Sequence, residues 1–259
     1  ASLRAAKGRY GSFAQVTAET AEEAAAAEAA GIEMVTCRAR NVTEVRRGSQ
    51  AAFVVAALGF AEAVTNDEIL RTAFRAVTDG ADAVITGRWL EVVELLAAED
   101  IPVVGHLGFV PRKSTWVGRI RGVGRTPDEA EQLLGRFRRL EDAGAFAVEA
   151  ELISAPLLEE IGKRSGLVTI SLGSGPSAEV QFLFGSDICG ETDRVPRHAR
   201  KYADLASLYR TIQDTRISAF RSFRQDVAGG TFPASGEMIE PDAEAARAVR
   251  ERLAQISDG

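Results

Sequence analysis

A histidine and two glutamates lie in or at the end of strand-like segments of this 259-residue sequence. His106 stands in VVGHLGF, and Glu149 and Glu151 alternate with alanine in FAVEAEL. Imidazole and carboxylate groups can take up and return a proton, which is the chemistry of general acid–base catalysis. His106 could equally be a structural histidine that hydrogen-bonds a neighbouring strand. Glu151 could be a solvated glutamate at a strand end.

The two glutamates raise the question of which cation balances them. Side chains alternate along a strand, so Glu149 and Glu151 share a face, and burial would disfavour two uncompensated carboxylates there. Arg38 is the predicted partner, because a guanidinium can grip a carboxylate at two points and stabilise an oxyanion. Arg38 could instead only neutralise these acids as a structural ion pair. The same alternation predicts that Cys37 faces the outer helices as a core thiol.

Other cations could attract an anionic ligand. Arg88 comes directly after a strand-like segment, and Arg119 lies in the Gly-, Arg- and Lys-rich segment that follows His106. We expect Arg88 and Arg119 to contribute to binding a small anionic substrate. Arg88 could also be an ordinary surface arginine at the start of a helix.

Short β-branched segments alternate with amphipathic ones, which predicts the elements that position these residues. The predicted strands are 13–17, 33–39, 52–58, 83–87, 102–107, 146–152, 167–172 and 182–186, with helices at 19–30, 66–79, 90–99 and 127–143. This order favours an α/β fold, a (βα)8 TIM barrel, over a doubly wound open sheet. We assign residues 1–259 to a single barrel with a C-terminal helical extension. The site is expected at the carboxyl ends of the strands.

Composition excludes several classes of function. A net charge of −6 argues against a nucleic-acid partner. No apolar run approaches the roughly 20 residues of a membrane span, and the first residues have no apolar core typical of a secretory signal. The two cysteines are far apart, which favours reduced thiols and a cytoplasmic protein.

Several longer segments are similar to one enzyme family. They are VVGHLGFVP, GRIRGVGRT, LEDAGAFAVEAEL, TISLGSGPSAEVQFLFGSDICG, VPRHARKYADL and DVAGGTFPASGE. These segments resemble ketopantoate hydroxymethyltransferase, a member of the phosphoenolpyruvate mutase and isocitrate lyase superfamily. The resemblance implies a (βα)8 barrel, often assembled as a homo-oligomer. It also implies transfer of a one-carbon unit from methylenetetrahydrofolate to a branched 2-oxo acid held against Mg²⁺.

The resemblance assigns roles to individual residues. Glu151 falls where the family has its acid/base residue, and His106 matches the family pattern GHLG. Ser171 and Ser174 fall where the family binds substrate, and Glu149 joins them as a predicted binding residue. The catalytic residues predicted for this chain are therefore Glu151, His106 and Arg38.

The sequence departs from the family at the positions that hold the metal. Where the resemblance implies acidic ligands, the chain has Arg38, Ala57 and Gly87. Mg²⁺ takes oxygen ligands, and none of these side chains supplies one. We therefore predict that the family magnesium site is lost and that no metal is bound. Use of a tetrahydrofolate is left open.

These observations predict an enzyme that works without a metal ion. It would catalyse proton transfer, or formation or cleavage of a carbon–carbon bond, next to a carbonyl of a small carboxylate or 2-oxo acid. One alternative is a non-catalytic barrel that only binds a ligand. Another is retained hydroxymethyl transfer with Arg38 in place of the metal.

Overall fold

The computed structural model describes residues 2–59, 62–110, 121–192, 194–239 and 242–256. Eight parallel strands close into a barrel in chain order, which confirms the predicted (βα)8 fold. The strands are β1 (Phe13–Thr17), β2 (Met34–Arg38), β3 (Phe53–Ala57), β4 (Ala83–Thr86), β5 (Val103–Gly108), β6 (Ala147–Glu151), β7 (Val168–Leu172) and β8 (Val180–Leu183).

Helices connect most of the strands. They are α1 (Ser2–Ala5), α2 (Ala21–Ala29), α3 (Val42–Gly48), α4 (Asn66–Thr78), α5 (Leu90–Ala98), α6 (Pro127–Asp142), α7 (Ala155–Gly162) and α8 (Gly185–Cys189). The last strand begins two residues earlier than predicted and ends at Leu183, because the chain enters α8 at Gly185.

Threonine side chains start three of these helices. Thr20, Thr65 and Thr126 each accept a hydrogen bond from the backbone N–H of a glutamate three residues later. At Thr20 and Thr65 the carboxylate of that glutamate also accepts a hydrogen bond from the backbone N–H of the threonine. Thr126 is followed by Pro127 in the first turn of its helix. These caps satisfy N–H groups that have no partner within the helix, so each helix begins at a defined residue after its strand.

Strand alternation separates two apolar layers. Inward-facing residues such as Met34, Val55 and Ile170 form a cluster inside the barrel. Outward-facing residues such as Val35 and Cys37 pack in a second cluster with the helices. Cys37 therefore lies in the outer layer, as predicted, and burial raises the pKa of its thiol to about 12.

The chain divides into two compact units, Ala1–Asp204 and Leu205–Gly259. The first contains the barrel. The second contains α9 (Leu205–Gly229) and α10 (Ala243–Ile256), and in it the rings of Phe223 and Phe232 meet edge to face at 5.1 Å. In the part of the chain that the structure describes, no helix combines the length and apolarity needed to traverse a lipid bilayer.

Candidate active site at the carboxyl ends of β5 and β6

Two neighbouring strands bring the predicted histidine and both glutamates together. The register of β5 and β6 pairs His106 with Glu149, and Gly108 with Glu151. Val104 on β5 and Ala147 on β6 belong to the interior cluster, so residues two and four positions further along also face the interior. All three polar side chains therefore lie at the carboxyl ends of the strands, inside the barrel.

The three side chains are in close contact and largely buried. His106 Nε2 lies 2.9 Å from Glu151 Oε2, a hydrogen bond, and 3.7 Å from Glu149 Oε1. The side chains of His106, Glu149 and Glu151 are 13%, 8% and 11% exposed. The group is thus shielded from most solvent.

Electrostatics favour a proton within this group. Burial lowers the pKa of His106, but the hydrogen bond to Glu151 and the charges of Glu149 and Glu151 raise it, and the net direction is upward. Burial raises the pKa of Glu149, and the nearby imidazole only partly offsets that effect. Both shifts favour a proton held within this group.

Backbone groups lie against the histidine ring. The Phe109 backbone lies close to the ring and contributes to the raised pKa of His106. The Phe109 N–H in turn donates to the Glu151 carbonyl at 2.8 Å. This close approach requires Gly108, since its φ is +93° and an added Cβ would lie 2.1 Å from the Glu151 carbonyl oxygen. The sequence contained GHLGF, but the role of Phe109 depends on backbone geometry that no motif records.

Arg38 does not neutralise the two acids. It occupies the interior face of β2, as predicted, but it is the last residue of the strand and its side chain is 58% exposed. Its backbone N–H donates to Glu19 Oε2 at 3.1 Å, and its Nε lies 3.9 Å from Glu19 Oε1. The predicted ion pair with Glu149 or Glu151 is thus wrong, because His106 on the adjacent strand takes that place.

Arg88 is engaged by the loop before α4. Its guanidinium donates to the backbone carbonyls of Ala63 and Val64, the latter at 3.2 Å, and its backbone N–H donates to Thr86 Oγ1. These bonds fit a structural role in shaping the loop after β3. Arg119, also predicted to bind substrate, lies outside the described residues.

The two predicted serines connect backbone segments near β6 and β7. Ser171 Oγ donates to the Gly175 carbonyl at 2.8 Å and accepts from the Ser174 N–H. Ser174 Oγ donates to the Ala150 carbonyl at 2.7 Å and accepts from the Ile153 N–H at 2.8 Å. Both serines are buried, and their hydroxyls are used by the protein itself.

The chain retains a group of residues that could hold a metal ion. One ligand atom from each of His106, Glu149 and Glu151 lies within 4.8 Å of the others. The prediction that no metal could be bound is therefore not supported, although Arg38, Ala57 and Gly87 offer no oxygen ligand. Two carboxylates and an imidazole suit a divalent ion, but the imidazole nitrogen suits Zn²⁺ or Mn²⁺ better than Mg²⁺.

Comparison with known proteins identifies relatives along most of the chain. Residues 37–235 match the family described as ketopantoate hydroxymethyltransferase. The 3-methyl-2-oxobutanoate hydroxymethyltransferase of Pyrobaculum neutrophilum is 36% identical over 199 residues, which cover 75% of this chain and 74% of the relative. The enzyme of the same name from Saccharopolyspora erythraea is 35% identical over 205 residues, covering 77% of this chain and 67% of that protein.

Solved structures share the barrel at much lower sequence identity. A 2,3-dimethylmalate lyase of the phosphoenolpyruvate mutase/isocitrate lyase superfamily has a TM-score of 0.53 at 13% identity, covering 99% of this chain and 97% of that one. A phosphonopyruvate hydrolase, in complex with oxalate and Mg²⁺, has a TM-score of 0.51 at 13% identity, covering 99% and 96%. These structures support the fold, and the sequence matches show that the chain belongs to the ketopantoate hydroxymethyltransferase family.

Proposed function

We propose that this chain is an enzyme that transfers a proton at the carbon next to the carbonyl of a small 2-oxo acid or carboxylate. The resulting enolate then forms or breaks a carbon–carbon bond. The observation that carries the proposal is the 2.9 Å contact between His106 Nε2 and Glu151 Oε2, where a TIM barrel places its chemistry. The curated relatives are named for hydroxymethyl transfer to a 2-oxo acid, which supports bond formation at such a carbon.

The residues suit the two halves of this reaction. Glu151 accepts the proton from the substrate carbon, the electrons of that C–H bond form the C=C bond of the enolate, and the π electrons of the carbonyl move to its oxygen. His106, beside the Phe109 backbone, supplies positive charge or a proton to the developing oxyanion. Arg38 is exposed at the end of β2, where its guanidinium can receive the substrate carboxylate.

We further propose that this proton transfer does not need a divalent metal. His106 would stabilise the developing oxyanion, the role that a Lewis-acidic ion has in metal-assisted enolate chemistry. Arg38, Ala57 and Gly87 supply none of the hard oxygen ligands that Mg²⁺ takes. Among the residues that the structure describes, we assign the stabilisation of negative charge on the substrate to the His106 ring and the Arg38 guanidinium.

Deuterium exchange tests both proposals. The protein, treated with EDTA, is incubated with 3-methyl-2-oxobutanoate in D₂O, and the signal of the proton on C3 is followed by NMR. We expect exchange with EDTA present and its loss in Glu151→Gln, whereas Glu160→Gln, an exposed glutamate of α7, keeps the wild-type rate. Exchange that appears only when Mg²⁺ is added would contradict metal independence. Tight binding without exchange would point to a non-catalytic barrel.

A further inference from the structure

We propose that His106, Glu149 and Glu151 form a site for one transition-metal dication, such as Zn²⁺ or Co²⁺. Occupation of this site would block the proton transfer proposed above, and that second statement rests on the proposed function. Binding itself does not depend on the reaction, so it can be measured separately.

Glu149 is the first residue that points to a cation, because its side chain is largely buried and its carboxylate accepts no hydrogen bond in the described residues. The side chain is 8% exposed, and no hydrogen-bond donor reaches it among the residues that the structure describes. His106 Nε2 lies 3.7 Å away, which is beyond hydrogen-bond distance. A buried carboxylate in this situation requires a proton or a cation. A metal ion beside His106 and Glu151 would supply that charge.

The number and charge of the donors fit a dication. Two carboxylates and a neutral imidazole carry two negative charges, and their ligand atoms lie within 4.8 Å of one another. Three protein ligands with further positions left for water or substrate are typical of catalytic zinc sites. In the part of the chain that the structure describes, His106 is the basic side chain within ion-pair distance of these acids, and Arg38 instead contacts Glu19.

The surroundings of His106 also match a ligand histidine. Its Nε2 points to the carboxylates, and the Phe109 backbone lies close to the ring. In ligand histidines, a hydrogen bond from the second ring nitrogen to a nearby backbone carbonyl commonly orients the ring.

The imidazole selects the class of metal. Nitrogen ligands suit Zn²⁺, Co²⁺ and related ions, whereas Mg²⁺ takes oxygen ligands and keeps several waters. Once an ion is bound, the lone pairs of Glu151 and His106 are directed to it and are not available to the substrate proton. Bound metal would therefore inhibit the exchange reaction.

Cobalt titration tests the site directly. EDTA is removed from the treated protein by dialysis, Co²⁺ is added stepwise, and visible d–d absorption is recorded. We expect saturation at one equivalent, and affinity weaker by about 100-fold or more in His106→Gln and in Glu149→Gln. His198→Gln and Cys189→Ser are matched controls that should bind as the wild type does. Circular dichroism checks the fold of each variant.

Three results of the titration would overturn the site. They are the absence of d–d bands in the wild type, unchanged affinity in both His106→Gln and Glu149→Gln, and displacement of Co²⁺ by an equal concentration of Mg²⁺. Glu149→Gln keeps the size of the side chain, so it remains informative if His106→Gln does not fold.

Deuterium exchange in D₂O separately tests whether bound metal inhibits the proton transfer. With Zn²⁺ saturating the site, we expect the exchange rate of 3-methyl-2-oxobutanoate to fall about 100-fold or more from its EDTA-treated value, the effect of losing one acid–base group. An unchanged rate would overturn the block but not the site. A higher rate would overturn both the block and metal independence. If EDTA-treated protein shows no exchange, the proposed function fails while the Co²⁺ result stands by itself.

Discussion

Two polar corners of the barrel were both predicted to contact substrate: the serine corner (Ser171 and Ser174) and the acid–base corner (His106, Glu149 and Glu151). They differ in the partners that their polar atoms bond. At the end of β7, the hydroxyls of Ser171 and Ser174 bond backbone groups of nearby segments. At the ends of β5 and β6, His106 and the glutamates mainly contact each other, and Glu149 has a buried carboxylate without a donor in the described residues. Side chains whose hydrogen bonds are all made with the backbone stabilise the fold. Side chains that contact only one another can still exchange a proton with a substrate.

Substitution in the acid–base corner should give the largest effect. We expect Glu151→Gln and His106→Gln each to slow exchange by about 100-fold or more, since each removes one half of a general acid–base pair. The double variant should be little slower than either single one, because the two groups act as a unit. Rates of C3 deuteration measured by NMR decide this. Additive losses would show that the two residues act independently.

Substitution in the serine corner should affect stability and not chemistry. Ser174→Ala leaves the buried Ile153 N–H and Ala150 carbonyl without a partner, so we expect a loss of about 1–3 kcal/mol in the free energy of unfolding. Urea denaturation provides the measurement. The exchange rate of the folded variant should stay within a few-fold of wild type. A large drop in that rate with unchanged stability would place Ser174 in the substrate site after all.

Arg38 lies apart from both corners, and its substitution separates binding from folding. The ion pair with Glu19 is exposed and loose, so Arg38→Ala should change the free energy of unfolding by no more than about 0.5 kcal/mol. If the guanidinium receives the substrate carboxylate, KM should rise about tenfold, as for loss of a charge-assisted hydrogen bond. Steady-state kinetics and denaturation of the same sample measure both. An unchanged KM would remove Arg38 from the site.

The outer face of the barrel offers a smaller and purely thermodynamic test. The pKa of Cys37 is about 12 in the folded protein and 9.0 in the unfolded chain. The contribution of this difference to the free energy of unfolding is therefore fully present below pH 9. As pH rises above 9, the unfolded chain loses this proton first, and stability falls. We expect the wild type to lose about 1 kcal/mol relative to Cys37→Ala between pH 8 and 10. Parallel stability curves would mean that Cys37 is accessible to solvent.

The barrel followed from local sequence because each strand and helix has its own signal. Alternating β-branched segments predicted the strands, and the helix predicted at 127–143 is observed as α6 over Pro127–Asp142. The shared face of Glu149 and Glu151 followed from the two-residue repeat of a strand. Cys37 was placed in the outer layer by the same repeat.

The contacts of each polar side chain could not be predicted in the same way, because they depend on the register between strands and on where each strand ends. Arg38 has the inward position that alternation gives it, but as the last residue of β2 it extends into solvent and meets Glu19. The serine motif gave no indication that Ala150 and Gly175 carbonyls would take its hydroxyls. Likewise, the residues at the family's metal positions, Arg38, Ala57 and Gly87, gave no indication that His106 and its two acids lie close enough to share an ion.

The central claim is that Glu151, paired with His106, moves a substrate proton. The most direct measurement compares the C3 deuteration rate of 3-methyl-2-oxobutanoate in wild type and Glu151→Gln, both treated with EDTA. We predict incorporation by the wild type and, in the variant, a rate lower by about 100-fold or more. Equal rates in the two proteins would contradict the assignment of Glu151 as the base.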